Sequence, residues 1–458
     1  MRRNREYKER EMALMMEFKR ELPLHCGYDV IVVGGGPAGC AAAVAAAREG
    51  AKTLLVEATG MLGGMATAGL VNAFAPYTDW ERVLYGGIAL RVLEAMKFQM
   101  PHVDSEALHW VPIDPEALKR IYDGMVTGAG ADILFNTMLC AVEMADEHHV
   151  GAVVVNNKAG LAAYKAKAYV DCTGDADLCA WAGAEYEQGG GDGNVQPSSL
   201  CFVLSNVDED AFRCGPGTLH IDNPDSCIHA IVESGRYDIP DKHICAHFSG
   251  PNTMSFNAGH VHGVDNTDPL SVSRGLAAGR KLAYEHKRGL ADHHPAFADS
   301  YLAATAPVMG VRESRRVVGD YVFTLEDYLA RRSFGDEILR NNYYIDIHNT
   351  REEGARQKGS MAWNSDSRFE RYGKGESHGL PYRCLTPKAL RNVLVAGRSV
   401  SCDRAAQGSL RVMPACLCMG EAAGIAAKFA SDMPQADVHA VDVQRLRQRL
   451  KEEGAYLP

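Results

Sequence analysis

Residues 28–39 read Tyr-Asp-Val-Ile-Val-Val-Gly-Gly-Gly-Pro-Ala-Gly, followed by a small-residue run, then Thr53-Leu-Leu-Val-Glu57 and Met61-Leu-Gly-Gly64. The apolar run Val30 to Val33 predicts a buried parallel strand, and the alanine-rich stretch behind it a helix. Between them Gly34, Gly36 and Gly39 have the G-x-G-x-x-G spacing. The first glycine makes the tight turn and the second lets backbone approach a pyrophosphate. The third lets helix pack on strand, and the helix N-terminus faces the phosphate charge. Glu57, eighteen residues past Gly39, ends the second strand, where a carboxylate accepts from ribose hydroxyls. Strand before, helix after and acid at that distance together predict a dinucleotide site.

The chain has 458 residues, 46% hydrophobic and 23% charged, which is the composition of an ordinary globular protein of two or three domains. A net charge of -10 argues against nucleic acid and anionic membrane as partners. The 13 cysteines include no C-x-x-C, only the C-x-C of Cys416 and Cys418. That spacing fits neither zinc nor an iron–sulfur cluster, so no metal is expected and a reducing, cytoplasmic setting is. Residues 1–26 read as a charged N-terminal helix without a signal peptide's apolar core. It either packs on its own domain or docks on a partner subunit, as in a homo-oligomer or an electron-relay complex.

Further along, Asp114-Pro115 predicts a capped helix over 114–130, and another short helix falls around Ile88 to Lys97. Strands are expected at Asp132–Phe135, Leu139–Met144, Val150–Asn156 and Ala162–Asp171, the last running into Thr173-Gly174. From about 200 to 380 the pattern is less regular, with helices expected over 271–288 and 324–340. Asn392 to Gly397 then reads as a second buried strand ending in glycine, Arg398 to Arg411 as a loop, and Pro414 as the opening of a helix containing Gly420 and Gly424. The expected fold is α/β, with a discontiguous Rossmann-like domain (27–75, 110–200 and 380–432) and an inserted α+β substrate or cap domain (76–109 and 201–379). A C-terminal helix falls in 433–458.

A nicotinamide enzyme needs only the first nucleotide unit. This chain adds Gly63-Gly64 after the acid, Thr173-Gly174 after a mid-chain strand, and the late Gly397–helix unit. All three belong to a flavoprotein of the glutathione-reductase type. A helix N-terminus near the flavin ring stabilises its anionic reduced form by about 1 kcal/mol. Backbone amides near Arg411, Val412 and Met413 would donate there, and Arg411 adds a full charge.

These segments, with Leu62 to Val71, Gly310-Val-Arg-Glu-Ser-Arg-Arg316, Pro381 to Leu385 and Gly408-Ser-Leu-Arg-Val-Met-Pro414, make the chain resemble the FAD-dependent oxidoreductases. Their FAD domain is akin to those of fumarate reductase and succinate dehydrogenase flavoproteins, and some members carry a label relating them to xanthan lyase. The resemblance spans nearly the whole chain and implies FAD as cofactor. The residues it places on FAD are Gly34, Gly36, Pro37, Ala38, Gly39, Glu57, Gly63, Gly64, Met65, Ala66, Leu139, Thr173, Gly174, Gly397, Arg398, Ser409, Arg411, Val412 and Met413. Covalent relatives carry a histidine where this chain has Met65-Ala-Thr, so FAD is expected to be non-covalent. Gly189 to Gly193 lacks a preceding strand, which argues against a built-in NAD(P)H domain.

Catalytic candidates fall in the cap. Tyr343-Tyr-Ile-Asp-Ile-His348 alternates like a strand, so Asp346 and His348 share a face. Asp346 would orient His348 as the base that takes a hydroxyl proton while hydride passes to flavin N5. A half-exposed strand with a polar outer face explains the same pattern. His260 and His262 suit substrate hydrogen bonding, an ordinary polar loop, or, lacking further ligands, a poor metal site. Arg312-Glu-Ser-Arg-Arg316 resembles an amphipathic helix start. Arg312 would hold a substrate carboxylate or stabilise the flavin environment, or else make an interdomain salt bridge. The expected reaction is two-electron dehydrogenation of a small sugar, polyol or hydroxy acid with an unknown electron acceptor. A flavin-dependent reductase of an activated C=C bond, fed by an unknown donor, and an electron-relay subunit are the alternatives.

Overall fold

The computed structural model describes residues 16, 18–190, 193–215, 219–350 and 371–458. Five parallel strands make the central sheet, in the order Val393–Val395, Ala168–Asp171, Val30–Val33, Thr53–Val56, Asp132–Leu134. The Val30–Val33, Thr53–Val56 and Ala168–Asp171 strands are buried along their whole length, which is why they read as continuous apolar runs and not as alternation. Ala168–Asp171 sits between the first and last strands, so the late segment closes the same sheet that the opening glycine turn starts.

Two helices cross on this sheet at unusually short range. In Pro37–Arg48 and Met413–Ser431, a Cβ added at Gly420 would stand 2.0 Å from the Ala38 carbonyl oxygen, and one at Gly424 2.2 Å from that of Ala42. The small residues at 420 and 424, four apart on one face, thus let the helices touch backbone to backbone. The predicted helix at 114–130 is Pro115–Gly128, with the Asp114 carboxylate accepting from the Glu116 and Ala117 amides.

A second sheet runs Leu24–His25, Gly160–Tyr164, Val150–Asn157, Met138–Met144. The run read as one strand over Ala162–Asp171 is therefore two, in different sheets, broken at Lys165–Lys167. Of the expected N-terminal helix, residues 1–15 and 17 lie outside the described residues. The remainder up to Pro23 has no regular structure, and Leu24–His25 instead add a short parallel edge strand. A third, antiparallel sheet (Ile244–Gly250, Thr253–Ala258, Phe202–Ser205, Tyr301–Thr305) is backed by the helix Pro269–His293 and has its own apolar core around Phe202, Phe256 and Phe297.

Three further expectations change. Arg312–Arg316 does not start a helix: Arg315–Val317 pairs antiparallel with Tyr186–Gln188. The helix expected over 324–340 is only Leu325–Leu329, closed by a Thr324–Asp327 capping box, after which Glu337–Asn341 pairs with His378–Pro381. Within 398–411, Arg404–Leu410 is helical, capped by Asp403, and bends by 91° into Met413–Ser431. That bent pair is long and apolar enough by composition to cross a membrane; no single helix among the described residues is. At the C-terminus the helix is Val443–Glu452.

Glu421 in the late helix is buried and accepts from the Ile88 amide at 3.0 Å. Burial pushes its carboxyl up to about 7. Because the folded chain holds that proton more tightly than the unfolded one, stability falls as pH rises from about 4.5 to 7. Glu421→Gln is expected to be more stable than the parent above this window, by roughly 3 kcal/mol at most, and equal to it below. Thermal melts at both ends of the range check it.

Candidate active site

A cavity of about 1530 Å³ runs from the opening glycine turn to the histidine-rich segment. At one end, Gly36 caps the helix Pro37–Arg48 with no side-chain hydrogen bond, and no acidic residue occupies the first turn. A Cβ on Gly36 would meet nothing within 4 Å, so the missing side chain leaves cavity open beside the exposed helix amides. Gly34 and Gly39 have another reason to be glycine. Gly34 has φ +97°, and a Cβ there would lie 2.4 Å from the Cys172 carbonyl oxygen; one on Gly39 would lie 1.7 Å from that of Gly34. They hold strand, helix and the Cys172–Thr173 turn together.

Glu57 ends its strand buried, one carboxylate oxygen accepting from the Gly35 amide (2.6 Å) and the other from Thr59 (2.7 Å). These bonds fix the carboxylate at the cavity wall and leave each oxygen a second lone pair for a ribose hydroxyl. Asp171 does similar work for the Thr173-Gly174 turn, accepting from the Thr173 amide, its hydroxyl and the Cys179 amide.

Pro37, Ala38, Gly64, Met65, Leu139, Thr173, Gly174, Gly397, Arg398, Arg411, Val412 and Met413 also line the cavity. Gly39, Gly63, Ala66 and Ser409 do not. Gly63 adopts φ +101° and donates to the Gly35 carbonyl, Ala66 is fully buried, and Ser409 accepts from Asn341 Nδ2 at 2.8 Å. Their contribution is to shape the loops that do line it. The late helix presents Val412 and Met413 at its N-terminus without a side-chain cap. Arg398 Nε, Arg411 Nε and Asp346 Oδ1 are buried cavity-wall atoms without a hydrogen-bond partner among the described residues. Open helix N-termini at both ends, a ribose-ready acid and two cavity-wall arginines, Arg398 paired with Asp175 at 2.8 Å and Arg411 donating to the Asp346 carbonyl, fit a long, anionic dinucleotide.

At the other end Asp346 and His348 come together as expected, His348 Nε2 lying 3.2 Å from Asp346 Oδ1. The segment is extended and alternates in burial, but residues 342–347 pair with no strand among those described; Arg411 Nη2 holds the Asp346 carbonyl at 2.6 Å instead. His348 is buried on the cavity wall, and its amide donates to Gln196 Oε1 at 3.0 Å. Its Nδ1 lies 2.7 Å from His260 Nε2, and His260 Nδ1 lies 2.9 Å from Asp241 Oδ2. Burial, then Arg312, His260 and Arg411, hold the His348 imidazole well below its ordinary pKa, hence neutral.

His260 and His262 stand off the cavity wall, with ring centres 5.8 Å apart. His243, which the sequence did not single out, lines the cavity and stacks on His260 at 4.6 Å. Ring nitrogens of His243, His260 and His348 lie within 4.8 Å of one another, as do the donor atoms of Asp241, His260 and His262. The 2.7 Å His260–His348 contact is a hydrogen-bond length. Two nitrogens on one tetrahedral zinc stand roughly 3.4 Å apart.

Arg312 is buried and lines the cavity, donating to the Pro197 carbonyl, Ser199 Oγ and Asn257 Oδ1. It pairs with no carboxylate among the described residues. Burial and then Arg411 pull its guanidinium down to about 10. Its neighbours Arg315 and Arg316 are the ion-paired ones, with Asp177 at 2.7 Å and Glu313 at 2.7 Å.

The model of the family described as FAD dependent oxidoreductase matches residues 29–450. Dihydrolipoyl dehydrogenase of Trypanosoma brucei brucei is 55% identical over 47 residues, a match spanning 10% of either chain. A geranylgeranyl bacteriochlorophyll reductase-like protein of Thermoplasma acidophilum has a TM-score of 0.46 at 15% identity, over 94% of this chain and 85% of its own. The p-nitrophenol 4-monooxygenase of Pseudomonas putida DLL-E4 has 0.44 at 12%, over 93% and 81%. With a family match across almost its whole length and a cavity that fits the cofactor, the chain belongs to the FAD dependent oxidoreductases, enzymes whose cofactor is FAD.

Proposed function

We propose that this enzyme dehydrogenates a small polar substrate bearing a carboxylate, a 2-hydroxy acid, at the histidine end of the cavity. The carrying observation is a neutral buried base, His348, and a buried guanidinium without a carboxylate partner among the described residues, Arg312, both lining the cavity with the Gly397–Met413 loop. FAD when bound supplies the two-electron acceptor for the substrate's C–H hydride. In this reading it lies in a glutathione-reductase-type domain, non-covalently, since Met65-Ala66-Thr67 offers no histidine. The sheet over residues 202–305 and the segment carrying His348 form the substrate side.

Arg312 binds the carboxylate through a charge-assisted contact. His348 then takes the hydroxyl proton at Nε2. Arg411 and the open N-terminus of Met413–Ser431 hold the negative charge that accumulates in the pocket.

Anaerobic addition of glycolate, lactate, malate or tartrate to holoprotein tests it. At least one acid is expected to bleach the yellow flavin band, and its methyl ester is not. Arg312→Gln is expected to raise KM for that acid about thirtyfold, the worth of one charge-assisted contact of ~2 kcal/mol, with a smaller change in kcat. Equal turnover of acid and ester would refute the carboxylate assignment.

A further inference from the structure

The two histidines extend at both ends into a chain of four residues, Asp241–His260–His348–Asp346. Its links are 2.9 Å, 2.7 Å and 3.2 Å. Each of the three links takes one proton, yet two neutral imidazoles bring only two, and ionised carboxylates at the ends can only accept. With His260 donating from Nδ1 to Asp241, its Nε2 must accept from Nδ1–H of His348. The Nε2 lone pair of His348 then faces Asp346. The structure agrees: among the described residues Asp346 Oδ1 is buried without a hydrogen-bond partner, so the 3.2 Å approach at that end lacks hydrogen-bond geometry. The link short of a proton is the one at the cavity wall.

We infer that Asp241 and His260, with His348, form a relay that stores one proton at the active site and conducts it out of the cavity. This rests on the reading of His348 as the base. The substrate O–H bond breaks and N–H forms at His348 Nε2. The Nδ1 proton of His348 moves to His260 Nε2, and the Nδ1 proton of His260 moves to Asp241 and on to water. One proton enters and one leaves. Asp241 suits the exit, since it does not line the cavity and 14% of its side-chain surface is exposed. It is held in place by the His243 amide on its other oxygen at 2.9 Å.

The charges around the chain set when the third proton is held. Arg312, Arg411 and the rings of His243 and His262 surround the imidazoles, while the Cys245 thiol and Tyr343, whose hydroxyl lies 3.3 Å from Asp346 Oδ2, are neutral neighbours. The arginines disfavour a further positive charge; the two carboxylates favour it. Burial further opposes charging His260 and His348. Negative charge brought into the cavity by two-electron reduction tips that balance towards uptake.

The pH dependence of the FAD midpoint potential in the holoprotein, over roughly pH 6 to 8, counts those protons without any substrate. The wild type is expected to take up two protons per two electrons, and Asp241→Asn and His260→Gln one. Asp241→Glu, which keeps the charge, should restore two. FAD content and the visible spectrum show whether each variant is folded, and the wild-type count stands without them. A wild-type count of one, two protons retained in both Asp241→Asn and His260→Gln, or one equivalent of zinc in the purified protein would overturn the relay. Because no hydroxy acid is used, failure of the proposed substrate class leaves this result readable on its own.

Discussion

Gly39→Val is expected to yield protein that does not retain FAD. The added side chain would begin 1.7 Å from the Gly34 carbonyl oxygen and 3.2 Å from Cys172 Cβ, both parts of the turn that shapes the cavity end. Neither is the far end of a flexible side chain, so the helix Pro37–Arg48 must move off the sheet. Overpacking of this kind costs up to about 3 kcal/mol, and if that cost falls on the bound state it is about a hundredfold in FAD affinity. Gly36→Ala is the informative partner. Its Cβ meets no protein atom, so the fold is expected to survive while FAD binding weakens. Flavin content after gel filtration and thermal melts of the two variants separate a packing glycine from a ligand-facing one.

His348→Gln is expected to slow flavin reduction by the substrate by a factor of about 10² to 10⁴, the range for loss of a positioned general base. Glutamine keeps hydrogen-bonding capacity and approximate size but accepts no proton at neutral pH. Binding of the acid, reported by perturbation of the oxidised flavin spectrum, should change little because Arg312 carries it. The pH profile adds a second check. Burial, with Arg312, His260 and Arg411, depresses the His348 pKa, so the base-competent neutral form extends below the usual histidine range. Rates in the parent are expected to stay level through roughly pH 6 and fall only in more acid solution. A fall centred on an ordinary histidine pKa would place the base elsewhere.

The nucleotide end was legible because its determinants are local. Val30 to Glu57 folds as read, since strand, turn and helix are each set by neighbours within a few residues. The late strand and helix were legible for the same reason, although the reason for Gly420 and Gly424 emerged only with the opposing carbonyls of Ala38 and Ala42. The histidine end depends on distant partners. Asp241 and His260 are 19 residues apart and His260 and His348 are 88, so no spacing rule links them. The Asp346-x-His348 pattern did signal a shared face, but among the described residues 342–347 join no strand ladder, and Gln196 and Arg411 help hold the backbone that delivers it. Arg312–Arg316 misled as a helix because its charges serve one buried ion pair, one partly exposed ion pair and a short strand.

Anaerobic exposure of the same holoprotein to 2-hydroxy acids and, after photoreduction, to a carboxylated enoate separates dehydrogenation from C=C reduction. An acid is expected to bleach the oxidised flavin with one equivalent of 2-oxo acid formed per FAD, and the enoate to leave reduced flavin unchanged. Reoxidation by the enoate with no bleaching by any acid would contradict dehydrogenation and make the enzyme a C=C reductase.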